Sequence, residues 1–245
     1  RAEAIAEKAE GAKSLLVNTP NNPTGAVYGI ETLEGIARVT QDHDLWLISD
    51  EVYDTQLWHG QHVSPRTLPG MEAQTLVIGS LSKSHAMTGS RIGWVVGPEV
   101  VGPPEVIQNL TFLANATTYG VAGFVQEAGL HALSLGVDLE EEIAAPFRRR
   151  RAIVLRLVEG HNVVRAIPAQ GAMYTMLDIR ATGLSGEAFG RELLDREAIA
   201  VMPGESFGHA AAGHIRLALT TDDARLEDAV ARLLALAGRL AERNS

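Results

Sequence analysis

The chain has 245 residues, 46% of them hydrophobic, with 24 glycines, no cysteine and a formal net charge of −9. That length allows one large domain or two smaller ones, and the composition is that of an ordinary α/β protein. The acidic balance argues against a nucleic-acid surface, the absence of cysteine removes disulfides, thiolate metal sites and a thiol nucleophile, and no apolar run reaches membrane-spanning length.

Arg1 to Glu10 opens in a helical pattern with no initiator methionine and no cap, which fits either a processed chain or the later part of a longer protein, and the second is expected. No signal peptide pattern is visible, and a cytoplasmic location is expected. Lys13–Asn18 reads as a short buried strand running into a turn rich in Pro, Asn and Gly. Ile30–His43 carries helical periodicity. Leu45–Ser49 is a second strand ending at Asp50-Glu51-Val52-Tyr53, Thr75–Gly79 a third that leads to Lys83, and Arg91–Val96 a fourth. Strands alternating with helices predict a largely parallel sheet, in which ligands bind beyond the carboxyl ends of the strands. Asn22, Asp50 and Lys83 each follow a strand, and the topology predicts that they converge on one crevice.

From Pro103 to Gly160 the pattern is helical, with Asp138–Glu159 as one long helix. The basic run Arg148 to Arg151 follows the acidic Glu140 to Glu142 and reads as a solvated helix face. His59 and His62 lie in a glycine-containing loop without a nearby carboxylate pair, so no metal site is expected. The texture then changes: Met173–Ile179 is a strand, Gly186–Glu197 a helix, Ile199–Met202 and His214–Leu219 strands, and Thr221–Arg243 a final helix. This is an α+β module, expected as a smaller second domain. No repeats or low-complexity tracts interrupt the chain.

The stretch from Ser80 to Trp94, Ser-Leu-Ser-Lys-Ser-His-Ala-Met-Thr-Gly-Ser-Arg-Ile-Gly-Trp, sets one amine, Lys83, among small hydroxyls with Arg91 nearby. Such an amine can form a Schiff base with a carbonyl cofactor while hydroxyls and arginine hold a phosphate; the same residues also suit a polar turn between strands. The run Asn18 to Gly25 suits a backbone-driven turn, or a turn that aims the Asn22 side chain at a phenolate oxygen. Asp50 either caps the next turn or pairs with a protonated pyridine nitrogen, and Tyr53 could reach the same phenolate as Asn22.

Taken together, Asn22-Pro-Thr-Gly25, Asp50-x-x-Tyr53, Ser80-x-x-Lys83 and Arg91, in this order and spacing, resemble the class I/II, fold-type I aminotransferases that use pyridoxal 5′-phosphate. Gln170-Gly-Ala-Met-Tyr174, Pro203-Gly-Glu-Ser-Phe-Gly208 and Ile215-Arg216-Leu217 resemble the small domain of that family, so the likeness runs from about Lys13 to the C-terminus. The resemblance implies an α/β chain of fold type I, with a mostly parallel sheet flanked by helices plus a smaller α+β C-terminal domain. Residues 1–143 would be the remainder of the large cofactor-binding domain, and 144–245 the linking helix and small domain.

By the same resemblance Lys83 forms the Schiff base and then moves protons, and Asp50 holds the pyridine nitrogen. Asn22 and Tyr53 hydrogen-bond the phenolic oxygen, Ser80 and Arg91 bind the phosphate with help from Ser82, and Arg216, with Asn22, grips the substrate α-carboxylate. The implied reaction moves an amino group between a 2-amino acid and a 2-oxo acid, in a homodimer with no nucleic acid or membrane partner. The implied alternatives are a lyase or decarboxylase on the same scaffold, or the sensor domain of a transcription regulator. Two features depart from the family: Ser90 stands where many relatives carry tryptophan, and the long N-terminal part that normally precedes the Asn-Pro-Thr-Gly turn is not in this sequence. Arg216 implies an α-carboxylate and leaves the substrate side chain open.

Overall fold

The computed structural model describes residues 2–98 and 105–244. Contacts divide the chain into two compact units, Arg1–Pro20 with Val27–Ile143 and Asn21–Ala26 with Ala144–Ser245.

The first unit is built on a four-stranded sheet in the order β1 (Ser14–Asn18), β2 (Trp46–Asp50), β3 (Thr75–Ser80), β4 (Gly93–Val96). The first three strands are parallel, with Asn18 beside Asp50 and Asp50 beside Ile78, so β1 and β2 end level and β3 runs on to Ser80. Helix α1 (Ala2–Ala9) packs on α2 (Ile30–Asp42). Leu33, Ile36, Ala37 and Thr40 recur at helical spacing and form the buried face of α2. That face meets Val17, Leu47 and Met71 in one core cluster. Burying each large aliphatic side chain there is worth about 1.5–3 kcal/mol.

The fourth strand departs from the expected parallel pattern. β4 runs antiparallel to β3, Ser80 opposite Gly93. Residues 81–92 hold only the one-turn helix α3 (Leu81–Ser84) and a 3-10 turn, too little to cross over the sheet, so the chain reverses beside β3. Gly79 faces Trp94 across this pair, and a Cβ on Gly79 would fall 2.3 Å from the indole ring. The helical region resolves into α4 (Glu105–Thr118), α5 (Gly123–Ser134) and α6 (Val137–Val158). Among the described residues no helix is long and apolar enough to cross a membrane.

The second unit carries an antiparallel sheet in the order β5 (Arg165–Ile167), β6 (Tyr174–Asp178), β8 (His214–Ala218), β7 (Met202–Pro203). Its core joins Val154 and Val158 of α6, Phe189 and Leu193 of α7 (Gly186–Glu197), and Leu226 and Val230 of α8 (Asp223–Asn244) to Ile215 and Leu217 of β8. The strand expected over Ile199–Met202 shrinks to two residues. Ala198 adopts a left-handed conformation that closes α7, its N–H reaching the carbonyls of Leu193 and Leu194. Ile199 and Val201 therefore pack on the core as helix-exit residues, as hydrophobic contacts at such caps do.

The basic run of α6 is not a purely solvated face. Arg149 and Arg150 both reach Asp223 at the start of α8, Arg150 also donates to the Leu219 carbonyl (3.1 Å), and Arg151 donates to the Ala169 carbonyl (2.6 Å). Charges that look idle in a linear pattern here satisfy the chain entering α8.

Candidate active-site residues

In the first unit, β2 ends on Asp50, which is half-buried and whose carboxylate accepts the Val52 N–H at 3.3 Å. Burial pushes its carboxyl above the usual range; the Val52 N–H pulls it back, and the negative charge of Glu51 pushes it further up. A cation placed at this carboxylate would reverse that balance. The chain then turns tightly, with Asp54 N–H donating to the Glu51 carbonyl and Gln56 N–H to the Tyr53 carbonyl (3.0 and 2.9 Å). Tyr53 is buried, and its ring centre lies 6.0 Å from Lys83 Nζ.

Lys83 owes its place to a helix cap. Ser80 ends β3 in extended conformation, and its Oγ accepts the Ser82 N–H at 3.1 Å while donating to the Ile92 carbonyl at 3.1 Å. The single turn that follows presents Lys83 half-buried, its amine without a hydrogen bond or ion pair to any described residue. The Ser82 hydroxyl is likewise unengaged among the described residues. Arg91 sits at φ 51°, left-handed, with its exposed guanidinium donating to the Thr88 carbonyl at 2.9 Å. Its remaining N–H groups are available to an anion.

In the second unit, residues 21–26 form a tight turn. Asn21 Oδ1 accepts from both the N–H and the hydroxyl of Thr24 (3.2 and 2.7 Å), and Gly25 N–H closes back on the Asn21 carbonyl (2.7 Å). Gly25 has φ +67°, its carbonyl accepts the N–H groups of Gln170 and Gly171 (both 2.8 Å), and a Cβ there would lie 2.5 Å from Ala169 Cβ. Only glycine meets both conditions.

That turn sets Asn22 against Arg216. Arg216 projects from β8, where its neighbours Ile215 and Leu217 face the core. Its Nη1 donates to Asn22 Oδ1 at 2.7 Å, and the guanidinium lies 4.2 Å from the centre of the Tyr174 ring and 5.0 Å from that of Phe207. Its Nε is buried and has no acceptor among the described residues. A buried donor left unpaired costs about 1–3 kcal/mol, which an incoming anionic oxygen would recover. The Nε and Nη2 hydrogens point the same way, so this free edge suits a carboxylate. Residues 203–208 are tied in place by Glu205, whose Oε1 accepts from Gly186 and Gly213 N–H (2.9 and 3.0 Å).

Of the residues singled out in the sequence, the first unit holds Asp50, Tyr53, Ser80, Ser82, Lys83 and Arg91, and the second holds Asn22 with Arg216. The aromatic faces of Tyr174 and Phe207 against Arg216 carried no signal beyond their motifs. A further set was missed. His62 does have a carboxylate partner: its Nε2 lies 2.8 Å from Glu51 Oε2, while Ser64 Oγ donates to Glu51 Oε1 at 2.7 Å. Separations of eleven and thirteen positions hide such pairs from any local pattern. Among the described residues no group of three or more His, Asp or Glu side chains could hold a metal ion.

A family model for aminotransferase class I and II matches residues 2–233. The chain belongs to the class I and II aminotransferase family. It is 43% identical over 228 residues to the arginine–pyruvate transaminase of Pseudomonas aeruginosa, covering 93% of this chain and 57% of that protein. It is 36% identical over 231 residues to the aspartate/prephenate aminotransferase of Thermus thermophilus, again covering 93% of this chain and 57% of the relative. A solved structure of aspartate aminotransferase from Thermus thermophilus with maleate matches with TM-score 0.88 and 33% identity, over 96% of this chain and 60% of that one. The chain thus spans less than two thirds of the length of these relatives. The folds agree: fold-type I, α/β with a mostly parallel sheet and helices.

The family's enzymes use pyridoxal 5′-phosphate, and the first unit's residues fit that group. Among the described residues, an amine with no ion-pair partner, a half-buried carboxylate with no cation beside it, and unengaged hydroxyl and guanidinium donors are what an aldehyde, a pyridine nitrogen and a phosphate require.

Proposed function

We propose that the full-length protein is a pyridoxal 5′-phosphate-dependent aminotransferase, moving an amino group from a 2-amino acid to a 2-oxo acid. The observation that carries this reading is Lys83, a half-buried amine beside Tyr53 with no hydrogen bond or ion pair among the described residues, in a chain matched to the family over residues 2–233. Lys83 and Asp50 are the residues on which the reaction would turn; Asn22, Tyr53, Ser80, Ser82 and Arg91 would hold the cofactor.

When bound, the cofactor supplies an aldehyde for the amine and an electron sink for the pair left at the substrate Cα. Lys83 Nζ, displaced by the substrate's own amine, would take the Cα proton and later return it. Asp50 would accept the hydrogen bond of the pyridine N–H, and its buried carboxylate would gain the cation that its surroundings lack. Ser82 and Arg91 would donate to the phosphate directly, and Ser80 by turning its hydroxyl proton away from the Ile92 carbonyl. Arg216 would receive the α-carboxylate on its Nε–Nη2 edge, kept flat by Tyr174 and Phe207, with Nη1 held by Asn22. The Thermus relative was solved with maleate, a dicarboxylate, which supports a carboxylate-bearing ligand.

The family names span arginine, aspartate and aromatic amino acids as donors, so the proposal stops at a 2-amino acid. A homodimer and a cytoplasmic location belong to the same proposal. Exposed apolar side chains on α4 and α5, with Phe112 60% and Phe124 80% exposed, support burial against further polypeptide.

Replacing Lys83 with alanine tests the reading. The wild type should take pyridoxal phosphate with a shift in its visible absorbance, and borohydride should fix the cofactor on the peptide containing Lys83. Lys83→Ala should lose both signals, and amino-group exchange should fall by about 10²-fold or more. Unchanged absorbance and exchange in the variant would refute the assignment, and release of carbon dioxide in place of exchange would replace it with a decarboxylase.

A further inference from the structure

Glu51 is only 6% exposed, and its carboxylate plays no part in the chemistry assigned above. Burying a carboxylate is costly unless its oxygens are satisfied, and an apolar side chain would fill the same space at less cost. Both oxygens are nonetheless engaged by one loop, Oε2 by His62 Nε2 at 2.8 Å and Oε1 by Ser64 Oγ at 2.7 Å. His62 is itself largely buried, its side chain 12% exposed. These two bonds close the loop that leaves β2 after Asp50 and returns at Ser64.

The base of this clasp is rigid. The Glu51 N–H donates to the Ile78 carbonyl at 3.0 Å, which extends the pairing of β2 with β3 one residue beyond Asp50. The loop it closes carries the two side chains that reach Lys83. Tyr53 presents its ring 6.0 Å from Nζ, and the fully buried Gln56 donates from Nε2 to the Lys83 carbonyl at 3.3 Å. The turn joining them starts at Glu51, whose own carbonyl accepts the Asp54 N–H.

We propose that Glu51 is a positioning residue that, through His62 and Ser64, holds the Tyr53–Gln56 turn against Lys83. This rests on the assignment of Lys83 as the cofactor lysine. Satisfying the buried carboxylate requires both loop donors at once, so the loop has one conformation that fulfils it and Lys83 is presented in one place. A purely apolar contact would hold the same segment without fixing its register.

The test compares Glu51→Ala and Glu51→Gln with wild type in the full-length protein. Glutamine keeps an acceptor for Ser64, and its N–H can donate to His62 Nε2 when the ring carries its proton on Nδ1 instead. Two readouts are taken: amide hydrogen exchange without cofactor, and the rate at which pyridoxal phosphate with borohydride labels the Lys83 peptide. Glu51→Ala should speed exchange at Asp54 and Gln56 by about tenfold, leave strand β6 unchanged, and slow Lys83 labelling by about tenfold, while Glu51→Gln stays within about threefold of wild type on both. If the alanine variant does not fold, Ser64→Ala, which removes one of the two bonds, should shift both readouts the same way by a smaller factor. Unchanged exchange and labelling in Glu51→Ala, or a loss of protection spread equally over β6, would overturn the proposal. If wild type takes no label on Lys83, the cofactor assignment fails instead, and the exchange pattern alone decides whether Glu51 holds the turn.

Discussion

Gly25→Ala should destabilise the protein through a combination of backbone strain and overlap that can be taken apart. Gly25 sits at φ +67°, a conformation that costs a residue with a Cβ about 1–2 kcal/mol. The new Cβ would fall 2.5 Å from Ala169 Cβ and 2.6 Å from the Gly171 carbonyl oxygen. Overpacking of that kind costs about 1–3 kcal/mol more, for a total of about 2–5 kcal/mol. Relief by movement would stretch the two 2.8 Å bonds from Gln170 and Gly171 to the Gly25 carbonyl, and these hold the turn that sets Asn22 against Arg216. Urea unfolding followed by circular dichroism measures the loss. Gly238→Ala is the control: its Cβ meets nothing within 4 Å in the interior of α8, so it should stabilise by about 0.5–1 kcal/mol. Gly25→Ala combined with Ala169→Gly should recover only part of the loss, because the carbonyl contact and the positive φ remain. A cost below about 1 kcal/mol for Gly25→Ala, or complete recovery in the double variant, would refute the reasoning.

Asp50→Asn should raise the thermal stability of the cofactor-free chain at pH 7. Burial raises the folded carboxyl pKa above its unfolded value, so the charged form opposes folding at neutral pH; the gap between variant and wild type should close as pH falls below about 4, where the group is protonated in both states. The same variant should hold pyridoxal phosphate more weakly, which a spectrophotometric titration reads. Arg216→Lys removes the planar fork and its stacking on Tyr174 and Phe207, so the KM for a 2-amino acid should rise about 10–100-fold. Asp178 is held down to about 2 by hydrogen bonds from the Arg180 side chain, against the push of burial. Its stabilisation is full above about pH 4 and lost as pH falls through 2, so Asp178→Asn should cost about 1–2 kcal/mol at pH 7, after allowing for the exposed guanidinium, and nothing once pH is well below about 2.

Local pattern carried the elements whose signal is local. Gly186–Glu197 is bounded in the structure as its apolar spacing and cap residues require, with Ser185 accepting from the Ala188 N–H at its start. The buried strand β6 lies within one residue of its expected ends at each side, whereas β1, also expected to be buried, buries only Val17 and leaves Leu16 63% exposed. Where pattern failed, a non-local term decided. Ile199 and Val201 have strand-like composition and serve a helix exit, and β5 is too short and too exposed at the sheet edge to show alternation. The direction of β4 depends on how little structure fits between Ser80 and Gly93.

Composition, periodicity and motif spacing by themselves determined an α/β chain, the elements in order, and the residues on which amine, carboxylate and arginine chemistry could rest. These follow from interactions within a few positions of one another, where propensity and spacing leave a visible trace. Only the tertiary structure decided that Arg216 lies between Tyr174 and Phe207 with one edge free, and that Glu51 draws His62 and Ser64 back over the start of their loop. Such contacts join residues far apart in the chain and are selected by burial, which demands a partner for every charge and donor it removes from water.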